Sequence, residues 1–212
     1  MQIKTFPNGI YGAITYLVYD EVSKEGALVD CTCSIDEIAD IVKKENINLK
    51  YILITHGHFD HVYYISQAKE AFPLAQILIH KEDMILLDKI ETQCQMAEIE
   101  EIQVPCVDGL LGDKTHNLNL GKNEIKVIHT KGHSKGGVCY LINNILFSGD
   151  TLFQGSIGRY DLWGGSLDEL EKSIKEKLFT LEGNVVVYPG HGDKTTIEYE
   201  KKYNPYFGET KF

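Results

Sequence analysis

The densest group of metal-binding side chains in this sequence lies between His56 and His61, where four of six consecutive residues are histidine or aspartate. His56 and His58 are two positions apart, so they project to the same side while the backbone stays extended. Gly57 leaves the space between them open. Asp60 and His61 follow a turn of the chain and face a different point. Since imidazole and carboxylate groups bind zinc, iron and manganese, this spacing predicts a metal site in which one short loop serves two ions.

A buried strand must deliver this loop to the site. The segment from Tyr51 to Ile54 is apolar throughout, which predicts a strand covered on both faces that runs directly into the cluster. Site residues of α/β sheets lie at such strand ends. Burying four such polar side chains there without a cation would be costly, so the cluster favours metal binding over a structural role.

Three further residues lie beside glycine at predicted strand ends and fit as the remaining ligands: His133, Asp150 and His191. A rigid sheet positions side chains at its strand ends, which is where site residues are found. A carboxylate such as that of Asp150 can bridge two cations through its two oxygens, while neutral imidazoles complete each shell.

Other metal-competent residues have structural interpretations. Three histidines lack a comparable setting, and we interpret them as surface or core residues: His80, His116 and His129. Cys31 and Cys33 form a C-x-C pair that could bind a metal or react. We interpret them as small apolar residues at a strand end, because no second such pair completes a four-ligand site. Five cysteines without a signal peptide indicate a reducing compartment rather than a disulfide framework.

Short apolar strands alternate with helical segments along the chain, which predicts an α/β fold with two packed sheets and helices outside. The predicted strands are Thr15 to Tyr19, Ala27 to Val29, Tyr51 to Ile54, Ile77 to Ile79, Ile125 to Ile128, Val138 to Ile142, Ile145 to Phe147 and Val185 to Tyr188. The sequence contains no linker or low-complexity tract, so we expect residues 1–212 to form a single domain.

Helices are predicted between these strands. Capping boxes, which pair Ser34 with Glu37 and Ser166 with Glu169, mark two helix starts, the second helix ending near Leu178. The other predicted helices cover about Tyr63 to Phe72, Lys81 to about Glu101, and Thr195 to Lys202. The segment from Val104 to Thr115 is expected to be a loop or an irregular strand.

Composition and charge exclude several functions. With 212 residues, of which 43% are hydrophobic, the chain can bury a substantial core. A net charge of -10 without a basic stripe argues against nucleic-acid binding. The sequence has no run of 18 consecutive apolar residues, which argues against a membrane span. Met1 to Phe6 contains no apolar run of the length that a signal peptide has. We therefore expect a cytoplasmic protein that acts on a small molecule, in an oligomeric state that the sequence leaves open.

The motifs together closely resemble those of the metallo-β-lactamase superfamily, and within it the glyoxalase II-like branch. The resemblance runs from about Ile14 to Tyr206. Its segments are His56 to His61, Gly132 to Ser134, Ser148 to Phe153, Gly158 to Asp161, Pro189 to Gly192, Thr195-Thr196 and Asn204-Pro205. The resemblance implies a four-layer αββα sandwich, the metallo-β-lactamase fold.

The resemblance also implies a ligand set. The first metal would be held by His56, His58 and His133. The second would be held by Asp60, His61 and His191, with Asp150 as the bridge. Asp30, which ends a predicted strand, matches an acidic family position that orients the histidine loop, although it could also cap a turn.

The function that this resemblance implies is hydrolysis of a thioester or ester by a hydroxide between two divalent ions, with zinc preferred over iron or manganese. A thiolate leaves readily, because a thiol pKa is about 8.5. Asp60 could steer the hydroxide while it ligates. The alternatives are a mononuclear iron persulfide dioxygenase, in which His61 and His191 would be spectators, and a metal-binding module without turnover.

Substrate contacts are expected from the loop between Gln154 and Gly165, which carries three candidates that could equally be structural: Arg159, Tyr160 and Trp163. Tyr63 and Tyr64 stand where the family commonly has glycines, so these rings narrow the pocket, stack on a substrate or pack under the loop. The best-known β-lactamases of this fold have a cysteine in place of Asp150, which argues against β-lactam hydrolysis. Glyoxalase II itself has a longer C-terminal helical region that contributes to glutathione binding, so the sequence does not decide whether this protein recognises glutathione.

Overall fold

Two six-stranded sheets form the centre of the structure. The computed structural model describes residues 1–112 and 118–210. His116 and the end of the loop predicted from Val104 to Thr115 lie outside the described residues. The first sheet has the order β1 (Gln2–Phe6), β2 (Thr15–Tyr19), β3 (Glu25–Val29), β4 (Asn48–Leu53), β5 (Gln76–His80) and β6 (Gly109–Leu111). Its first three strands pair antiparallel, and β3 to β6 pair parallel.

The second sheet has the order β14-β13-β10-β9-β8-β7. Its strands are β7 (Leu118–Leu120), β8 (Asn123–His129), β9 (Val138–Ile142), β10 (Ile145–Gly149), β13 (Val186–Pro189) and β14 (Thr195–Thr196), and a separate ribbon contains β11 (Leu152–Phe153) and β12 (Ser156–Ile157). Strands β10 and β13 are parallel, with a register shift after Phe147. The parallel pairing brings the carboxyl ends of these two strands to one edge of the sheet.

The helices are short. They are α1 (Asp36–Lys44), α2 (Phe59–Val62), α3 (Ile65–Ala71), α4 (Met84–Asp88), α5 (Ile90–Met96), α6 (Leu167–Ser173) and α7 (Ile197–Tyr203). Single turns of 3₁₀ helix cover Ile10–Gly12 and Lys81–Asp83, and a π-helical turn covers Ile174–Leu178. In the described part of the chain, no helix has the length and apolar character that crossing a membrane requires.

The predicted helix starts have different outcomes. Ser166 accepts a hydrogen bond from the backbone N–H of Glu169, which confirms that cap. The cap predicted at Ser34 is wrong, because Ile35 occupies the N-cap position and the Ser34 hydroxyl bonds the side chain of Asp36. The Ser34 oxygen accepts the Asp36 backbone N–H at 3.4 Å, in place of the Glu37 N–H that a capping box requires.

Two predicted helices have different bounds in the structure. The helix from Lys81 to Glu101 is wrong as one element, because Lys89, at φ -109° and ψ 20°, interrupts it and the chain leaves helical geometry after Met96. The helix predicted from Tyr63 to Phe72 begins two residues later, and α2 precedes it.

The sheets and helices form four layers. Side chains of β2 alternate, with Tyr16 and Val18 in the core between the sheets and Leu17 in the core beneath α1 and α3. Tyr140 and Phe147 of the second sheet complete the inner core. A third cluster joins the outer face of that sheet to α6 and α7. The predicted αββα sandwich is therefore confirmed.

Candidate metal centre

Three histidines from two loops converge at the carboxyl end of β4. His56 and His58 precede α2, and His133 follows β8. The Nε2 atom of His133 lies 3.2 Å from Nε2 of His56 and 2.9 Å from Nδ1 of His58. These residues form a group that could hold one metal ion, which we call the first group.

A second group lies beside the first. Asp60 and His61 are part of α2, so the helix turns them away from His56 and His58. His191 follows β13, and its Nε2 lies 3.3 Å from Nε2 of His61 and 3.4 Å from Oδ2 of Asp60. These three residues could hold another ion. The loop is therefore divided between two points, as its spacing predicts.

Asp150 lies between the two groups. Its Oδ1 is 3.3 Å from Nε2 of His61, and its Oδ2 is 3.6 Å from Nε2 of both His133 and His191. Oδ1 is buried and accepts no hydrogen bond from the described residues. A buried carboxylate oxygen without a donor is costly. A cation at this position would satisfy it.

Hydrogen bonds on the outer side of the rings determine which imidazole nitrogen faces the centre. His61 donates Nδ1–H to Oδ2 of Asp30 at 2.8 Å, and His133 donates Nδ1–H to the carbonyl of Arg159 at 2.7 Å. The Thr55 hydroxyl donates to Asp30 at 2.7 Å, so it accepts from Nδ1 of His56 at 3.0 Å. With these protons on Nδ1, each of the three rings presents an Nε2 lone pair to the centre when it is neutral.

The distances between these nitrogens match a metal shell. Ligand atoms of a tetrahedral zinc site, with bonds of about 2.0–2.1 Å, lie about 3.3 Å apart. Four pairs of ligand atoms within the groups are 2.9 to 3.4 Å apart, and His61 and Asp60 are 3.8 Å apart. Imidazole and carboxylate donors suit zinc, iron and manganese. The residues present therefore fit a two-metal centre.

The protonation states also favour cation binding. Burial, followed by the charge of His133, lowers the pKa of His58 to about 3. Burial and the neighbouring His61 hold the pKa of His56 well below its usual value. Burial raises the pKa of Asp150, but His61 and His133 more than offset it, so this carboxyl is ionised. Near neutral pH His56 and His58 are thus neutral imidazoles and Asp150 is a carboxylate, the forms that bind metals. In the second group, burial lowers the pKa of His61 and of His191, but the carboxylates of Asp150 and Asp60 more than offset it and raise both pKa values, so a bound cation would displace protons there.

Asp30 lies beneath the second group. It is buried at the end of β3, in the left-handed region at φ 58°. Its carboxylate accepts hydrogen bonds from the Thr55 backbone N–H at 2.7 Å, the Thr55 hydroxyl and His61. Through Thr55 it also reaches His56, so one carboxylate orients a histidine of each group.

Asp83 was not identified from the sequence. It is fully buried after β5 and accepts hydrogen bonds from Gly57 N–H at 2.9 Å, Ser134 Oγ–H at 2.7 Å and Gly136 N–H at 2.6 Å. Gly57 separates His56 from His58, and the other two donors follow His133, so Asp83 joins the two loops of the first group. A Cβ on Gly136 would lie 2.6 Å from the Asp83 backbone nitrogen, which explains the glycine.

A cleft of about 590 Å³ opens onto the centre. Of the predicted substrate contacts, Arg159 and Trp163 line it, whereas Tyr63 and Tyr160 are not among its lining residues. Tyr63 is half-buried and packs edge-on against Tyr64, with ring centroids 5.2 Å apart.

The loop that carries Arg159 is held from the C-terminal side. Buried Glu200 accepts hydrogen bonds from Gly155 N–H, the Thr195 hydroxyl and the Asn204 amide, and Asn204 also donates to the carbonyl of Ser156. Glu200, like Asp83, was not identified from the sequence. The Thr-Thr and Asn-Pro motifs therefore anchor the β11–β12 ribbon near the cleft.

The remaining metal-competent residues lie elsewhere. Burial raises the pKa of both Cys31 and Cys33, so they are neutral thiols in the structure. His80, Glu82 and His129 also place ligand atoms within 4.8 Å of one another. However, Nδ1 of His80 accepts the Glu82 backbone N–H, and His129 bonds the Lys135 carbonyl, which agrees with structural roles.

Comparison with known proteins agrees with the fold and the centre. The family model of the metallo-beta-lactamase superfamily matches residues 11–191, and the chain belongs to this superfamily. It is 30% identical to the hydroxyacylglutathione hydrolase GloC of Haemophilus influenzae over 97% of this chain and 98% of that one. This similarity places it near the glyoxalase II-like branch.

Two solved structures are similar over almost their whole lengths. The BLEG-1 B3 metallo-beta-lactamase has a TM-score of 0.89 and 31% identity, with coverage of 97% of this chain and 99% of that one. The di-iron-bound form of TTHA1623 has a TM-score of 0.81 and 29% identity, with coverage of 94% and 98%. The relatives therefore include a protein with two irons.

Proposed function

We propose that this protein is a binuclear metal-dependent hydrolase that cleaves a thioester or ester of a small molecule in the cytoplasm. The observation that carries the proposal is the position of Asp150, whose two oxygens reach the histidines of both groups. A bridging carboxylate requires an ion on each side. The similarity to GloC supports a hydrolase of the glyoxalase II type.

In this proposal each group of ligands holds one ion. The first ion is held by His56, His58 and His133, and the second by Asp60, His61 and His191, with Asp150 shared. Two bound ions, with zinc preferred, would supply a Lewis acid and a nucleophilic water that ionises near neutral pH.

The chain's own residues prepare the centre. Asp30 and Thr55 hold the Nδ1 protons of His61 and His56 away from the centre, and Asp60 faces it beside His191. The carboxylate of Asp60 is thus positioned to orient the attacking water. A thiolate leaving group, with a thiol pKa of about 8.5, departs without a protonating acid, which favours thioesters over amides.

The experiment is metal analysis of the purified protein, followed by assays with a lactoylglutathione-type thioester and with a persulfide plus oxygen. We expect two ions per chain and thioester cleavage. One iron per chain with oxygen uptake would instead support a persulfide dioxygenase, in which His61 and His191 are spectators. Two ions without turnover of any substrate would support a metal-binding module.

A second candidate is β-lactam hydrolysis, which the similarity to the BLEG-1 B3 metallo-beta-lactamase favours. We rank it below thioester cleavage, because Asp150 occupies a position that is a cysteine in the best-known β-lactamases of the fold. A cephalosporin assay on the zinc-loaded protein separates the two. Cleavage of the β-lactam at a higher kcat/KM than that of the thioester would reverse this order.

A further inference from the structure

The cleft above the metal centre is mostly apolar apart from the candidate ligands. Its floor contains His58, Asp60, His133, Asp150 and His191. Its walls include Leu86, Met96, Phe153, Ile157, Leu162 and Trp163. At about 590 Å³ it has the size of small-molecule sites, which are mostly apolar with a few polar groups that orient the ligand.

The polar side chains on these walls are already engaged. Gln93 accepts the Phe59 N–H through Oε1 and donates through Nε2 to the carbonyls of Gly57 and Leu86. Arg159 forms a two-point pair with Asp161, with both contacts at 3.0 Å. Gln93 is fully committed to its partners, whereas Arg159 pairs with Asp161 through Nε and Nη2 and keeps its remaining N–H groups, although Asp161 offsets its charge.

Large apolar side chains are also exposed at the mouth of the cleft. Tyr11, Met96 and Trp163 are 70%, 83% and 61% exposed, although each lines the cleft. The Tyr11 ring packs edge-on against Phe59 at 5.8 Å and extends the apolar wall. Apolar residues that converge in this way mark a groove for an apolar ligand.

Few cationic side chains lie at the cleft to recognise an anionic carrier. The net charge of -10 disfavours anions at a distance from the site, while two bound ions would oppose this effect at the centre. Among the residues that line the cleft, Arg159 is the cationic side chain, and Asp161 offsets its charge. Lys135 lies near the mouth, with its Nζ 5.5 Å from the centre of the Trp163 ring. One lysine that is already paired with an aromatic ring offers little to a peptide or nucleotide carrier with several charges.

We propose that the substrate is a thioester or ester with a neutral, hydrophobic acyl group, and that the cleft binds this group rather than glutathione or a nucleotide carrier. This inference rests on the proposed function. In the reaction, water adds its oxygen to the acyl carbon and the carbon–sulfur or carbon–oxygen bond breaks. The products are a carboxylate, a proton and a thiol or alcohol, without any redox change.

The single tryptophan reports binding directly, because Trp163 lines the cleft. Its fluorescence is titrated with two series of thioethers that cannot be hydrolysed: S-alkyl-N-acetylcysteamines, which are neutral, and S-alkylglutathiones, which are anionic. We expect Kd to fall about fourfold per added methylene in both series. For the same alkyl group, the S-alkylglutathione should bind no more tightly than the S-alkyl-N-acetylcysteamine.

Two exposed apolar residues provide a matched pair of variants. Met96→Glu places a charge at the cleft mouth, whereas Leu74→Glu changes a residue that is 90% exposed and does not line the cleft. Both positions are exposed, so folding should be unaffected. Met96→Glu should raise the Kd of S-octyl-N-acetylcysteamine more than fivefold, and Leu74→Glu should leave it unchanged.

Two results would overturn the inference. One is a Kd that does not depend on alkyl length. The other is an S-octylglutathione that binds more than tenfold more tightly than its neutral counterpart. These binding results do not depend on turnover. A Kd that depends on alkyl length, without cleavage of any thioester, would contradict the proposed hydrolase but would still support binding of an apolar ligand. Rapid cleavage of lactoylglutathione together with a flat alkyl series would contradict only the substrate class.

Discussion

Replacing Asp30 with asparagine should weaken metal binding at both groups, although Asp30 itself faces neither. Its Oδ2 accepts hydrogen bonds from the Thr55 hydroxyl and from Nδ1 of His61. If the asparagine oxygen still accepts the Thr55 N–H, the asparagine NH₂ faces the Thr55 hydroxyl and Nδ1 of His61, both of which donate to Asp30 in the wild type. His61 then must accept at Nδ1, which moves its proton to Nε2 and towards the centre. The Thr55 hydroxyl then accepts from the asparagine NH₂ and donates to Nδ1 of His56, so the proton of His56 also moves to Nε2.

The magnitude follows from the loss of two oriented lone pairs. Removing a hydrogen-bond partner behind a metal-binding histidine typically weakens the metal about 10- to 100-fold. This corresponds to about 1.4–2.7 kcal/mol per ion. Asparagine tolerates the left-handed backbone at this position, where φ is 58°, so backbone strain adds little.

The assay is a competition titration of zinc against a chelator, which gives two stepwise affinities. Thr55→Val is the companion variant, because it removes the hydroxyl that links Asp30 to His56 and keeps the Asp30–His61 bond, so it should weaken the first ion more than the second. Asp40→Asn, at an exposed position of α1, is the control and should change neither affinity. Histidine ¹⁵N spectra identify the affected rings. An Asp30→Asn protein that binds both ions as tightly as the wild type would show that Asp30 does not orient the two histidines for metal binding.

Three further predictions concern other parts of the centre. Asp83→Asn should weaken the first ion about 10- to 100-fold in the same titration, because one amide oxygen cannot replace a carboxylate that accepts three donors; an unchanged affinity would mean that Asp83 only stabilises the fold. Gly190→Ala should lower kcat/KM about 100-fold, because the added Cβ would clash with Oδ1 of Asp150 and displace this carboxylate. Steady-state kinetics that match the wild type would show that the site accommodates the methyl group. Removing the metals with a chelator should lower the free energy of unfolding by about 3 kcal/mol per ion, compared with the protein in zinc at 100 times the Kd. Added zinc should restore the stability. Equal Tm values with and without zinc would show that the ions do not stabilise the fold.

The candidate ligands and the core strands could be predicted because their signals are local. The segment from Tyr51 to Ile54 is apolar and leads directly into a cluster of polar ligands, so pattern and chemistry coincide. The edge strand β1 carries no such signal, since Gln2 is exposed and only Phe6 is buried. Strands of two or three residues, such as β11 and β12, are too short to show a period.

Asp83 and Glu200 could not be identified from the sequence, because their importance comes from contacts distant along the chain. Asp83 accepts from donors 26 to 53 residues away, and two of the three are backbone N–H groups that leave no pattern in the sequence. Glu200 lies within an ordinary helical segment. Its role depends on Gly155, which is 45 residues away. The walls of the cleft, contributed by several separate elements, are likewise visible only in the folded chain.

The binuclear centre is tested most directly in a crystal of the zinc-loaded protein, in which anomalous scattering at the zinc edge gives the number and the positions of the ions. Two ions per chain are expected, one against His56, His58 and His133 and the other against Asp60, His61 and His191, with Asp150 touching both. A single ion at saturating zinc, or a second ion that Asp150 does not contact, would contradict the binuclear centre.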